Sequence, residues 1–160
     1  MKQDIKLNLE EGKFKFRVAG IVENKGKVLV TKMHVNNFFC FPGGHVELLE
    51  DTNHAIRREL AEELYFDFKL KKLFCVHENF FHQGLKGFHE LCFYYTAEPV
   101  DKDMNMKDVY KDELDNGSHI IHHFKWLTRE ELAKEDVRPK QLVKEYLENS
   151  VDFKHLIFKE

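Results

Sequence analysis

Residues 44–66, GHVELLEDTNHAIRRELAEELYF, place a helix with two unlike sides inside a chain otherwise rich in strand formers. Ile56, Leu60 and Leu64 recur every four residues and form an apolar stripe that has to be buried against a sheet. Glu59, Glu62 and Glu63 fall within one adjoining third of the circumference, because spacings of three and four return side chains to the same face. The helix is expected to run to about Leu64 from a cap at Asp51 or Thr52, whose side-chain oxygens can satisfy a free N-terminal amide. Pro42-Gly43-Gly44 breaks regular structure between a short strand at 38–41 and this helix.

The remaining chain supplies the sheet. Segments 14–23 and 27–33 are rich in β formers and flank Asn24-Lys25-Gly26, which predicts a hairpin. Segments 67–82 and 87–98, rich in Phe, Val, Leu and Tyr, predict a long second hairpin turning at 84–87. Residues 99–118 are acidic and aperiodic and are expected to form a long loop. A strand at 119–127, a short helix capped by Thr128 and running to 134, a helix at 140–148 beginning after Pro139, and a last strand or extended tail at 153–158 complete the expected order. With 160 residues, 42% of them hydrophobic and 15 of them Phe, the chain can build one core, so residues 1–160 are expected to form one domain.

Composition removes several functional classes. The 25 basic and 28 acidic residues are interspersed and sum to a formal charge of -3, which offers no footprint for duplex nucleic acid or an anionic membrane. Cys40, Cys75 and Cys92 lie far apart with no CxxC pair, so neither a disulfide framework nor a cysteine zinc site is expected. The N-terminal MKQDIKLNLEEGK lacks an apolar h-region, and no run approaches the ~20 apolar residues of a membrane span. A cytoplasmic location is expected. His77-Glu78 and His89-Glu90 do not extend to HExxH, and no Walker P-loop or GxGxxG turn is present.

Like charges three and four apart cost a helix a few tenths of a kcal/mol per pair unless something compensates. A hard divalent cation would compensate Glu59, Glu62 and Glu63. Magnesium favours oxygen ligands, keeps several waters and is commonly shared between a few carboxylates and substrate phosphates. Such a cation neutralises a diphosphate and promotes attack by water, with a carboxylate accepting the proton. An acidic triplet on an arbitrary helix is ordinarily just a solvated face. Here Glu50, Arg58 and the Gly43-Gly44 turn stand at fixed spacings from it, and the whole pattern is far more specific than its parts.

In these residues the chain resembles the Nudix hydrolase family, whose signature is G-x5-E-x7-R-E-U-x-E-E-x-G-U with U a large aliphatic residue. Gly44, Glu50, Arg58, Glu59, Leu60, Glu62 and Glu63 match it in spacing. The resemblance implies a Nudix-type α/β/α sandwich with a mixed central sheet. It also implies a pyrophosphohydrolase that uses Mg2+, with Mn2+ as an alternative, on a nucleoside triphosphate, ADP-ribose or a nucleotide sugar. Carried over by position, Glu59, Glu62 and Glu63 bind metal, one of Glu59 and Glu62 serves as base, and Arg58 orients a glutamate. Glu50 and Gly44 support the site, and the carbonyl of Gly43 or Gly44 adds a metal ligand. A homodimer is an assembly known in the family. A nucleotide sensor on the same fold, binding without hydrolysis, is the alternative reading. Three positions depart from the pattern: Tyr65 replaces the late glycine, Phe66 is aromatic, and Leu49 stands where many members carry glycine.

Outside the signature, Glu78 and Glu90 are acids within apolar segments and are candidates for a substrate or extra metal contact; Asp112 and Glu113 are weaker ones. Phe80, Phe81, Phe88, Tyr94 and Trp126 are candidates for stacking on a base, although strand aromatics mostly belong to cores.

Overall fold

The computed structural model describes residues 3–115, 117–148 and 152–160. Among them the strands are β1 Lys6–Asn8, β2 Gly12–Asn24, β3 Lys27–Met33, β4 Phe39–Cys40, β5 Gly43–His45, β6 Phe68–Gln83, β7 Lys86–Pro99, β8 Val109–Asp115, β9 Ser118–Thr128, β10 Val137–Arg138 and β11 Lys154–Lys159. The helices are α1 Thr52–Glu63, α2 Arg129–Lys134 and α3 Lys140–Leu147.

β2 organises the sheet because it is long enough to serve several neighbours. It runs parallel to β7 from Gly12 to Val22, antiparallel to β1 and β5 along its other edge, and antiparallel to β3 at its end. The main order is β10-β4-β3-β2-β7-β6-β11, with β9 pairing β3 and β8. Parallel pairs β2–β7, β6–β11 and β4–β10 among antiparallel ones make the sheet mixed.

Alternation along β2 divides the interior. Val18 and Val22 meet Ala55, Ile56 and Leu60 of α1 on one face. Ala19 and Ile21 join Leu132 of α2 and Leu142, Val143 and Tyr146 of α3 on the other. The result is the α/β/α arrangement that the family resemblance implied. Ile56 and Leu60 are fully buried, each worth about 1.5–3 kcal/mol in removed apolar surface. Asp51 caps α1 by accepting from the N–H groups of Asn53 and His54, and Thr128 caps α2 with a capping box closed by Glu131.

Three expectations need correction. Residues 99–118 do not form one long loop, since Val109–Asp115 is β8, paired antiparallel with β9. β8 lies at the margin of the sheet, where charged side chains keep an edge from pairing with other chains and also mask its period. The polar leader contributes β1, held by main-chain pairing to β2. The Pro-Gly-Gly break contains β5. A Cβ on Gly43, whose φ is +149°, would lie 2.2 Å from the carbonyl oxygen of Val18, so only glycine lets this segment approach β2.

Candidate active site

Arg58 is the hub of the helix face. Its Nε and Nη2 donate to the two carboxylate oxygens of Glu50 at 2.9 and 2.8 Å, its Nη1 donates to Glu59 at 2.7 Å, and its Nη2 also donates to the carbonyl of His45 at 2.9 Å. Glu47 stands 3.6 Å from Nε. Glu50 in turn accepts from the N–H of Glu47 at 3.0 Å. The bidentate fork makes one rigid unit of the loop before α1 and the first residues of the acidic face. Glu50 and Glu59 are mostly buried, with side-chain exposures of 15% and 14%.

Glu63 closes the other side. Its carboxylate accepts the N–H of Gly43 at 2.8 Å, tying the helix end to β5. Burial foremost, and then the charge of Glu59, raise its pKa to about 8, against the opposing Gly43 N–H and Arg17 guanidinium. Burial also raises the Glu59 carboxyl, with Arg58 opposing. Glu62 behaves differently: its side chain is 59% exposed and its nearest ion-pair contact is Arg58 at 3.7 Å. The triplet therefore shares a helix face as expected: Glu59 and Glu62 both stand at Arg58 Nη1, at 2.7 and 3.7 Å, and Glu63 takes the Gly43 N–H within reach of the Glu59 charge. Among the described residues no three Asp, Glu, His or Cys side chains form a ready-made metal-binding group. The donor chemistry nevertheless fits a hard cation: Glu59 and Glu63 are enclosed carboxylates held at a cost in the charged form, with Glu62 free to swing in.

Gly44 is required here by contact. A Cβ at this position would stand 2.2 Å from Glu59 Oε2 and 2.4 Å from its Cδ. Gly44→Ala is expected to displace Glu59 from Arg58 and lower kcat/KM by about 10–100-fold, the range seen when groups supporting a metal site are lost. The melting temperature should fall as well, because Glu59 is pushed out of a mostly buried ion-pair set, and wild-type kinetics in this variant would contradict the assignment.

The departures from the family pattern have physical readings. Leu49 holds φ 68° with its side chain 99% exposed, so it carries left-handed strain without compensating burial. Leu49→Gly is expected to stabilise the protein by about 0.5–1 kcal/mol in urea denaturation, and a lower midpoint would refute this. Helix α1 ends at Leu64 in extended geometry, with no left-handed residue, so Tyr65 needs no glycine-like conformation. Its hydroxyl instead accepts the Trp126 indole N–H at 3.1 Å.

Other candidates separate by face. Glu90 lies 3.6 Å from Arg17 Nη1. Glu78 pairs with Leu91 and Glu90 with Asn79, so the two acids project from opposite sides, and Glu78 contacts His155 at 2.7 Å. Glu113 stands beside Lys111 at 2.6 Å and His122 at 3.5 Å, and its charge reaches Glu63. Asp112 pairs with His119 at 3.0 Å. Tyr94 and Trp126 are buried in the core, whereas Phe80 stacks on His89 and Phe81 on Phe88. Sequence reasoning missed Arg17, whose Nη2 reaches the Gly43 carbonyl at 3.5 Å, and Lys111, whose ammonium donates to the Glu62 carbonyl. Only an unexplained cation inside an apolar strand pattern could have marked Arg17.

A family model described as NUDIX domain matches residues 13–146. The chain belongs to the Nudix family. It is a Nudix hydrolase, with the pyrophosphatase-type activity on nucleotide derivatives that this membership carries. The 8-oxo-dGTP diphosphatase of Buchnera aphidicola subsp. Schizaphis graminum (strain Sg) is 28% identical over 117 residues, covering 66% of this chain and 88% of that protein. Among solved structures, a UDP-X diphosphatase superposes with a TM-score of 0.60 at 16% identity, covering 89% of this chain; the chain spans 66% of that structure's length. A NUDIX hydrolase from Nitrosomonas europaea superposes with a TM-score of 0.60 at 16% identity, covering 96% of this chain and 82% of its own. At these identities the structural likenesses speak for the fold alone. Among the described residues no helix is long and apolar enough to cross a membrane.

Proposed function

We propose that this Nudix hydrolase is a divalent-metal-dependent pyrophosphohydrolase that splits a diphosphate linkage in a nucleoside diphosphate derivative by attack of water at phosphorus. The observation that carries the reading is the pair of enclosed carboxylates, Glu59 fixed by the Glu50–Arg58 unit and Glu63 fixed by the Gly43 N–H. Glu59, Glu62 and Glu63 would hold the cation, with the Gly43 carbonyl as a further oxygen donor. When bound there, Mg2+ or Mn2+ supplies neutralisation of the diphosphate and activation of water. The protein supplies the rest by positioning, which is most of what phosphoryl transfer asks of it. Arg58 keeps Glu59 aimed, and Glu59 or Glu62 accepts the proton of the attacking water. A nucleoside triphosphate, ADP-ribose and a nucleotide sugar all meet the diphosphate requirement, and the named activity of the Buchnera relative is on a nucleotide of the first kind.

The test is a hydrolysis screen of nucleoside triphosphates, ADP-ribose and nucleotide sugars with Mg2+, Mn2+ or EDTA, with phosphorus NMR of the products. Metal-dependent release of phosphomonoester, absent in Glu63→Gln, is the expected result. Hydrolysis that persists in EDTA would overturn the metal role, and absence of hydrolysis across the panel would overturn the substrate class.

A further inference from the structure

The face of β2 opposite α1 carries cations that the carboxylate chemistry leaves unused. Lys13, Lys15 and Arg17 alternate along the strand and so project to one side, about 7 Å apart at each step. Register places Lys6 of β1 and Glu90 of β7 on either side of Lys15, and His45 of β5 beside Arg17. The carboxylates described on this face are Glu90, 3.6 Å from Arg17, and Asp4, 2.9 Å from Lys6 and 3.7 Å from His45. Lys6, Lys13, Lys15 and Arg17 thus outnumber their acids. The Lys15 ammonium is lowered below the usual lysine range by burial, against Glu90, with Arg17, Lys13 and Lys6 adding to the lowering.

Two further observations indicate a missing anion. Arg17 Nε is buried without a hydrogen-bond partner, and the head group reaches the Gly43 carbonyl only at 3.5 Å. A buried guanidinium donor left unused is costly, and oxyanions are the partners its fork fits best. The ammonium groups of Lys13 and Lys15 both lie over the Phe88 ring, at 5.8 and 5.7 Å, while Phe88 stacks on Phe81 at 5.0 Å. A ring face holds a half-buried cation less strongly than an oxyanion does, so a phosphate can recruit both lysines. The row is also continuous with the candidate active site, because Gly43 accepts from Arg17 through its carbonyl and donates to Glu63 through its N–H.

We propose that Arg17, Lys15 and Lys13 form a subsite for a chain of linked phosphates that continues beyond the diphosphate held at Glu59 and Glu63. The inference rests on the pyrophosphohydrolase reading and narrows its substrate class. Nucleoside triphosphates and dinucleoside polyphosphates extend anionic charge along the row, whereas ADP-ribose and nucleotide sugars end in a neutral sugar and leave it unmatched.

Isothermal titration of inorganic tripolyphosphate in EDTA reads the subsite without turnover. The wild-type protein is expected to bind it, the Lys13→Gln/Lys15→Gln double variant at least tenfold more weakly and with a shallower salt dependence. Lys15→Arg should retain most of the binding, and Lys69→Gln/Lys72→Gln, an equal charge change on β6, should bind as wild type does. No binding by the wild type, or equal weakening by Lys69→Gln/Lys72→Gln, would overturn the subsite. Steady-state kinetics then separate the sources: KM for a nucleoside triphosphate or a dinucleoside tetraphosphate should rise at least tenfold in the double variant with kcat nearly held, and KM for ADP-ribose should rise far less. An equal rise for all three overturns the proposal. Tripolyphosphate binding without hydrolysis of any nucleotide would support the subsite and refute the pyrophosphohydrolase reading, so the two fail separately.

Discussion

Glu63→Gln is expected to lower kcat by roughly 1,000-fold, a loss in the range of removing a group that stabilises transition-state charge, while making the metal-free protein more stable at alkaline pH. The second effect follows from linkage. The Glu63 carboxyl has an ordinary value of 4.5 and is raised to about 8 in the folded protein, chiefly by burial. The folded state therefore binds this proton more tightly than the unfolded chain. Its contribution to stability is complete below the unfolded value and is lost as pH rises through about 8. Glutamine imitates the neutral carboxyl and can still accept the Gly43 N–H. In EDTA, the melting temperature of the wild type should thus fall between pH 5 and 9 relative to Glu63→Gln, with a free-energy difference of at most about 5 kcal/mol at the alkaline end. Millimolar Mg2+ should restore the wild type at pH 9 and leave the variant unaffected. Parallel melting curves for the two proteins across this range would show that Glu63 is not held as an uncompensated carboxylate.

Replacing Arg58 is expected to have the next largest effect, and lysine should not rescue it. Arg58 satisfies both oxygens of Glu50, one of Glu59 and the His45 carbonyl at once. Removing one member of such a mostly buried set strands the others, at a cost of about 3–5 kcal/mol. Arg58→Ala should lose stability on that order in guanidinium denaturation and lower kcat/KM by at least 100-fold as Glu59 loses its aim. Lysine keeps the charge but offers no planar fork, so Arg58→Lys can bond Glu50 or Glu59 but cannot brace both. It should recover less than half of the lost stability and little activity. Wild-type behaviour of Arg58→Lys in both measurements would reduce Arg58 to a simple counter-charge.

The parts of the molecule legible in the sequence are those governed by local rules. The stripe of Ile56 and Leu60, the cap at Asp51, the capping box at Thr128 and the hairpins 14–33 and 67–98 follow from periodicity and turn chemistry within a few residues of each other. The spacing of Gly44, Glu50, Arg58, Glu59, Glu62 and Glu63 likewise carried the family. Strand β8 escaped because an edge strand can carry charges on both faces, Lys111 and Glu113 toward α1 and Asp112 on the exposed side, which makes a paired strand read like an acidic loop. The opposite facings of Glu78 and Glu90 escaped for another reason. Register shifts between Leu70 and Leu73 and between Leu73 and Cys75 break the alternation along β6, so parity counted from its start does not reach Glu78.

The sequence by itself determined the helix with its acidic face and the family, since both rest on residue types at fixed separations along one chain, and the layered α/β/α class followed from the family resemblance. Only the tertiary structure decided which partner each carboxylate takes. Glu59 turns to Arg58, Glu63 to the Gly43 N–H, and Glu62, largely in solvent, stands 3.7 Å from the same Arg58 nitrogen as Glu59. The tertiary structure alone also brought Arg17, at the end of the row that begins with Lys13, within 3.5 Å of the Gly43 carbonyl. That juxtaposition depends on the pairing of β2 with β5 and β7, strands separated from it by tens of residues, and electrostatic energy depends on distance in space, which spacing along the chain does not encode.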